Sequence, residues 1–153
     1  MKILVTKPLT ASKDKAWENL KNFAGIQNYN PSVATSKPIN DKVYGIGAER
    51  SCVLTNGDTI KERITDYTEN ESYKVDIYDM GKMPLKYAHA DIGINEKEKN
   101  SYELYMSMDI KAKMGPAGWI MERMMKKPYT KLLASILEGL DTFSQTGVPV
   151  KKK

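Results

Sequence analysis

Cysteine and histidine are almost missing from this chain. With one of each among 153 residues, no internal disulfide can form and no zinc site can be built from soft ligands. No Cys–His signature surrounds Cys52, so it reads as a small buried strand residue rather than a nucleophile, and its isolation suits a reducing, cytoplasmic setting. Long apolar runs are missing too. The apolar start, residues 1–5, is far too short for a signal peptide, and no window approaches the roughly 20 apolar residues of a spanning helix, so no stable membrane insertion is expected. Arginine is scarce: only Arg50, Arg63 and Arg123 stand among 24 basic residues. The lysines are scattered, so the net charge of +5 does not form a nucleic-acid footprint. Lys151, Lys152 and Lys153 make the densest positive group, which without an acyl chain or apolar anchor would hold an anionic membrane poorly.

What is present suits one domain. A length of 153 residues with 41% hydrophobic content supports one core, assigned to residues 1–147, followed by a basic tail over 148–153. Residues 2–7 alternate like an edge strand that Pro8 ends. Ser12 is placed to cap a helix carrying Ala16, Trp17, Leu20 and Phe23 on one stripe, with its end expected near Gly25. A second short turn through Tyr29 should stop at Asn30-Pro31, since the residue before proline is pushed out of helical conformation. Residues 33–39 then look extended.

The strongest turn signal is Thr55-Asn56-Gly57-Asp58. A two-residue loop would set Ser51 opposite Glu62, whereas a three-residue loop with left-handed Gly57 sets Arg50 opposite Glu62 and Cys52 opposite Ile60. The second register is preferred, because it gives an inward carboxylate a cation and puts Arg50, Cys52, Ile60, Glu62 and Ile64 on one face. Alternation continues with Tyr73, Val75 and Ile77, then Ala88, Ala90, Ile92 and Ile94, then Tyr102, Leu104, Met106, Met108 and Ile110. His89 falls on the opposite, wet face, which makes it a poor catalytic candidate. The loop over residues 81–84 is placed at one end of this dry face, where Ala88 and Ala90 leave space.

Residues 115–143 form a methionine-rich amphipathic stretch. Pro128 interrupts it, so a short helix through about Met125, a kink, and a main helix over residues 129–145 are expected. One helix cannot fill the concave side of a wide sheet, so the pattern describes a container. Its expected lining combines Arg50 and Glu62 with Ile64, Ile77, Ala90 and Leu104. Met106, Met108, Trp119, Met121 and Met125, then Leu132 and Ile136, complete it.

These segments also resemble a known superfamily. The run ASKDKAWENLKNFAGIQNYNPSV is similar to the opening of the START-like, SRPBCC superfamily, with Trp17 on its helix and an aromatic-x-Pro before the next strand. GIGAERSCVLTNGDTIKERI resembles that superfamily's glycine-x-arginine strand, turn glycine and Glu-Arg strand at Gly47, Arg50, Gly57, Glu62 and Arg63. YKVDIYDMGKMPLKYAHADIGI and GPAGWIMERMMKKPYTKLLASILEGLDTF extend the resemblance over residues 3–145. Tyr29 and Tyr105 stand where some relatives carry tryptophan. The resemblance implies an α+β helix-grip fold: a curved antiparallel sheet of about seven strands wrapped around a long C-terminal helix, with two short helices after the first strand. Relatives of this kind bind lipids, sterols, polyketides or plant hormones, some cyclise or dehydrate polyketides, and others carry iron-containing oxygenase centres. One histidine cannot supply the two-His, one-carboxylate ligand set of the last group.

Three readings follow for function. The first is non-catalytic binding or transport of an apolar small molecule (lipid, polyketide or aromatic), with Arg50 or Glu62 orienting its polar end. No metal or cofactor enters it, and the protein would be a monomer or weak homodimer. The second is a cyclase or dehydratase in which Glu62, held ionised by Arg50, moves a proton. The third is a partner-binding module, which calls for an exposed apolar patch rather than an enclosed one. The first is preferred.

Overall fold

The computed structural model describes all 153 residues. Strands β1 (Lys2–Pro8), β2 (Val33–Pro38), β3 (Glu49–Leu54), β4 (Thr59–Thr68), β5 (Ser72–Asp79), β6 (Leu85–Glu98) and β7 (Ser101–Ala112) form one antiparallel sheet in the order β1-β7-β6-β5-β4-β3-β2. Because β1 and β2 occupy opposite edges, the chain between them must cross the sheet. It does so through helix α1 (Lys13–Lys21) and a 3-10 turn (Phe23–Asn28). The last element is helix α2 (Gly118–Thr146), so the helix-grip arrangement is present.

Local sequence explains most of this. Ser12 accepts a hydrogen bond from the Lys15 amide at 3.2 Å and starts α1, whose Ala16, Trp17 and Leu20 are buried. The helix ends at Lys21 rather than near Gly25. Asn22 leaves helical conformation at ψ 80°, and the Gly25 amide turns back to the Asn22 carbonyl at 2.9 Å, which tightens the chain into the 3-10 turn. The hairpin takes the three-residue loop, with Gly57 at φ +87° and Arg50 paired with Glu62.

Helix α2 is a single helix running through Pro128, against the short helix and separate main one expected from the sequence. Pro128 is exposed and follows exposed Met124 by one turn, so the carbonyl that loses its amide partner faces water, which can satisfy it. The inner stripe of the helix, Leu133, Ile136, Leu137 and Leu140, is almost wholly buried. This half of α2 also carries Asp141, buried at 2% exposure yet bonded to Lys7 Nζ at 2.7 Å and to the amides of Thr10 and Ala11 at 3.0 and 2.8 Å. That carboxyl ties the end of β1 to the helix. The basic tail is docked as well: the Val150 amide donates to the Asn28 carbonyl and the Lys153 amide to the Pro31 carbonyl, both at 3.0 Å.

Two outcomes follow from this packing. Gly139 lies where an added Cβ would come 2.0 Å from the Tyr29 carbonyl oxygen. Gly139→Ala should therefore lose about 2–3 kcal/mol in urea denaturation, although the same change in an exposed helix gains up to about 1 kcal/mol. Burial would raise the Asp141 pKa, but its bonds to Lys7, Ala11 and Thr10 outweigh that and hold it below the usual carboxylate value. Its contribution is thus complete above the unfolded value of about 3.9 and is lost as pH falls through the lower folded value. Asp141→Asn should be less stable at neutral pH by about 1–3 kcal/mol and should show a flatter loss of stability between about pH 5 and pH 2.

Candidate functional site

Helix α2 approaches β1 and β7 most closely, and over the inner strands it leaves a cavity of about 130 Å³. Eighteen of its 22 lining residues are hydrophobic. Strands β5, β6 and β7 supply Val75, Ile77, Ala88, Ala90, Met106 and Met108, while α2 supplies Tyr129, Leu132 and Ile136. Met83, from the loop before β6, reaches the rim and receives the Tyr129 hydroxyl at its sulfur, 3.7 Å away.

Polar groups gather on one wall. Arg50 and Glu62 are 4% and 6% exposed, and Arg50 Nε donates to Glu62 Oε2 at 2.6 Å. A second guanidinium nitrogen of Arg50, Nη1, donates to the Phe23 carbonyl at 2.7 Å, and its plane lies 3.8 Å from the centre of the Phe23 ring. The Cys52 thiol points to the same Glu62 Oε2 at 3.4 Å. With both bonds on Oε2, and with no buried polar side-chain atom left unpartnered, Oε1 is the acceptor that meets the cavity. Tyr29 and Tyr73 line the same wall.

Electrostatics fix the protonation of this wall. Burial by itself would lower the Arg50 pKa, but the adjacent Glu62 carboxylate reverses the shift and raises it, so the guanidinium stays charged. Burial pushes the Cys52 thiol up to about 12 against the opposing pull of Arg50, which leaves it protonated and inert. Burial likewise raises Tyr29 strongly and Tyr73 less so, and both remain neutral phenols at physiological pH.

Of the residues expected from sequence to line the container, Arg50, Glu62, Ile77, Ala90, Met106 and Met108 meet the cavity, as do Leu132 and Ile136. Five do not. Ile64 and Leu104 are buried at 1% and 0% but sit in filled core, because strand parity selects a face and not the point along it where space remains. Trp119 is 63% exposed, and Met121 and Met125 are half-buried outside the cavity, since the first turns of α2 do not lie against the sheet as the later ones do. The contributions of Ile26, Tyr29, Asn30, Ser32 and Val33 were not legible, because only the crossing from one sheet edge to the other brings that segment under the helix. Tyr73, Val75, Ala88 and Ile92 were on the correct face by alternation. His89 is on the wet face, stacked on Tyr87 with ring centres 5.1 Å apart.

With the geometry in place, comparison identifies the family. The chain matches the polyketide cyclase / dehydrase and lipid transport family over residues 1–142. It belongs to that family. No curated protein matches the sequence. Solved structures share the fold at low identity. An uncharacterised protein of Bacillus thuringiensis is 16% identical with TM-score 0.76, covering 95% of this chain and 99% of its own. XoxI of Bacillus cereus is also 16% identical at TM-score 0.76, covering 95% and 96%. A protein of Thermus thermophilus is 10% identical at TM-score 0.76, covering 96% and 99%.

The site contains its own control for the energetics of the inward pair. Arg63 and Glu49 lie across the same hairpin, also at 2.6 Å, but the Arg63 side chain is 45% exposed. Arg50→Ala leaves a buried Glu62 without its cation and should cost about 3–5 kcal/mol, whereas Arg63→Ala, at a solvent-screened pair, should change stability far less. Urea denaturation of the two variants side by side reads the difference.

Proposed function

We propose that the protein binds a small, neutral, largely apolar molecule in this cavity and orients its one polar group at the Arg50–Glu62–Tyr29–Tyr73 wall. The observation that carries this reading is a largely apolar space under the helix with the buried Arg50–Glu62 pair in its wall. Size narrows the ligand. At about 130 Å³ the cavity is below the roughly 300–1,000 Å³ of drug-sized pockets and close to the roughly 150 Å³ that accepts benzene. A single ring fits as the side chains stand. A lipid chain or fused-ring polyketide requires Met83, Met106, Met108 and Tyr129 to move, which unbranched methionines allow.

Charge narrows it further. Arg50 is already neutralised by Glu62, so a ligand carboxylate would add a second buried anion to the wall. A hydroxyl can instead donate to Glu62 Oε1 and accept from a tyrosine. Binding is favoured over proton transfer because the other titratable groups on the wall are shifted away from neutrality, leaving Glu62 without a complementary acid or base.

Titration calorimetry with phenol, benzene and benzoate tests this. Phenol should bind most tightly, benzene about tenfold more weakly for want of the hydrogen bond, and benzoate least. Ala90→Phe should abolish phenol binding by filling the space beside the alanine, while His89→Ala leaves it unchanged. No heat from phenol or benzene with the folded wild-type protein would sink the proposal, and preference for benzoate would overturn the assignment of the wall.

A further inference from the structure

The net charge of the chain is concentrated in one segment that also exposes four large apolar side chains. Residues 111–131 contain six basic residues (Lys111, Lys113, Arg123, Lys126, Lys127 and Lys131) and one acid, Glu122. That local excess equals the +5 of the whole chain, so the other 18 basic and 18 acidic residues cancel. Glu122 is turned inward: its side chain is 13% exposed, accepts from the Ala112 amide at 3.2 Å and lies 3.4 Å from Lys111 Nζ. Lys113, Arg123, Lys126, Lys127 and Lys131 make no salt bridge.

The same segment exposes Met114 at 50%, Trp119 at 63%, Ile120 at 48% and Met124 at 73%. Helical spacing places Trp119, Ile120 and Met124 with Arg123, Lys126, Lys127 and Lys131 on one outward face of α2, and Lys113 and Met114 lie just before the helix. Trp119, Arg123 and Lys127 follow at intervals of four, and the neighbouring row carries Ile120, Met124 and Lys131. The apolar groups therefore occupy the first turns with Arg123 among them, and the lysines follow directly on the same surface.

We propose that this face docks the protein reversibly on an anionic phospholipid bilayer. Trp119, Ile120 and Met124 enter the headgroup zone, and the surrounding lysines and Arg123 engage the lipid charge. Two physical features select lipid over an acidic protein. Protein interfaces deplete lysine, whereas here Arg123 lies among the apolar groups and Lys126, Lys127 and Lys131 directly adjoin them. A bilayer surface accepts that mixture, because long cationic side chains lay their stems beside apolar neighbours and keep their charge in the headgroups. The attachment is peripheral, as no helix is long and apolar enough to cross a membrane. The inference does not depend on what the cavity holds.

Sedimentation with vesicles of phosphatidylcholine, with or without 30% phosphatidylglycerol, tests it, read together with tryptophan emission. Trp17 is buried at 4% exposure, so a blue shift on adding vesicles reports Trp119. The protein should sediment with the anionic vesicles, shift its emission, and release in 0.5 M salt. Arg123→Glu combined with Lys127→Glu should weaken partitioning by roughly a hundredfold or more, at about fivefold for each unit of charge. Lys151→Glu with Lys153→Glu, at the distant tail, should leave it nearly unchanged, with circular dichroism confirming that each variant is folded. Absence of sedimentation with anionic vesicles overturns the proposal, as does equal binding by the Arg123→Glu/Lys127→Glu variant or binding without an emission shift. A dimer that Trp119→Ala dissociates would also overturn it, by assigning the face to a second copy.

Discussion

The structure depends on a mismatch of widths. Seven strands separated by roughly 4.8 Å make a sheet almost 30 Å across, whereas a helix with its side chains is roughly 10–12 Å thick. Curvature reduces the mismatch without removing it. Helix α2 settles against β1 and β7, where Leu133, Leu137 and Leu140 become fully buried, and leaves unfilled volume over the inner strands. The crossing segment between β1 and β2 closes much of what remains, with Tyr29 and Val33 reaching the cavity from that side. The space is thus a consequence of covering a broad sheet with one narrow element.

Within that frame the Arg50–Glu62 pair sets the character of the site. Two buried charges are costly to desolvate, and the pair is held by more than mutual attraction: Arg50 also bonds the Phe23 carbonyl and lies over its ring, and Cys52 adds a contact to Glu62. These bonds link the β3–β4 hairpin to the 3-10 turn, so the polar wall and the segment that closes the cavity are fixed by the same residues. The neighbouring Arg63–Glu49 pair has the same length but sits in water, where similar geometry contributes little. Burial, more than distance, separates a pair that organises the site from one that decorates the surface.

The two ends of α2 have different tasks. Its C-terminal half is bound into the core by an apolar stripe and by Asp141, and Gly139 lets it approach the Tyr29 carbonyl more closely than any side chain would allow. Its N-terminal half carries the unpaired cations and exposed apolar groups, and its inner edge contributes Tyr129 to the cavity. A continuous helix through Pro128 joins these regions.

The strand faces, the cap at Ser12, the three-residue hairpin loop and, through that loop, the inward pairing of Arg50 with Glu62 were legible in the amino-acid order. Each is set by residues close along the chain: alternation with period two, a hydroxyl beside a free amide, a glycine at positive φ. The resemblance of its motifs extended that reading to the helix-grip fold. Packing sets where on the dry face space remains, so that Ile77 and Ala90 meet the cavity while Ile64 and Leu104 do not, and it leaves Trp119 in solvent. It also brings residues 26–33 to the site and carries α2 through Pro128 as one helix. These outcomes depend on how closely a helix and a crossing segment approach a sheet far from them in sequence. Periodicity gives the direction of a side chain, but the distance to what faces it is fixed only when all the layers pack together.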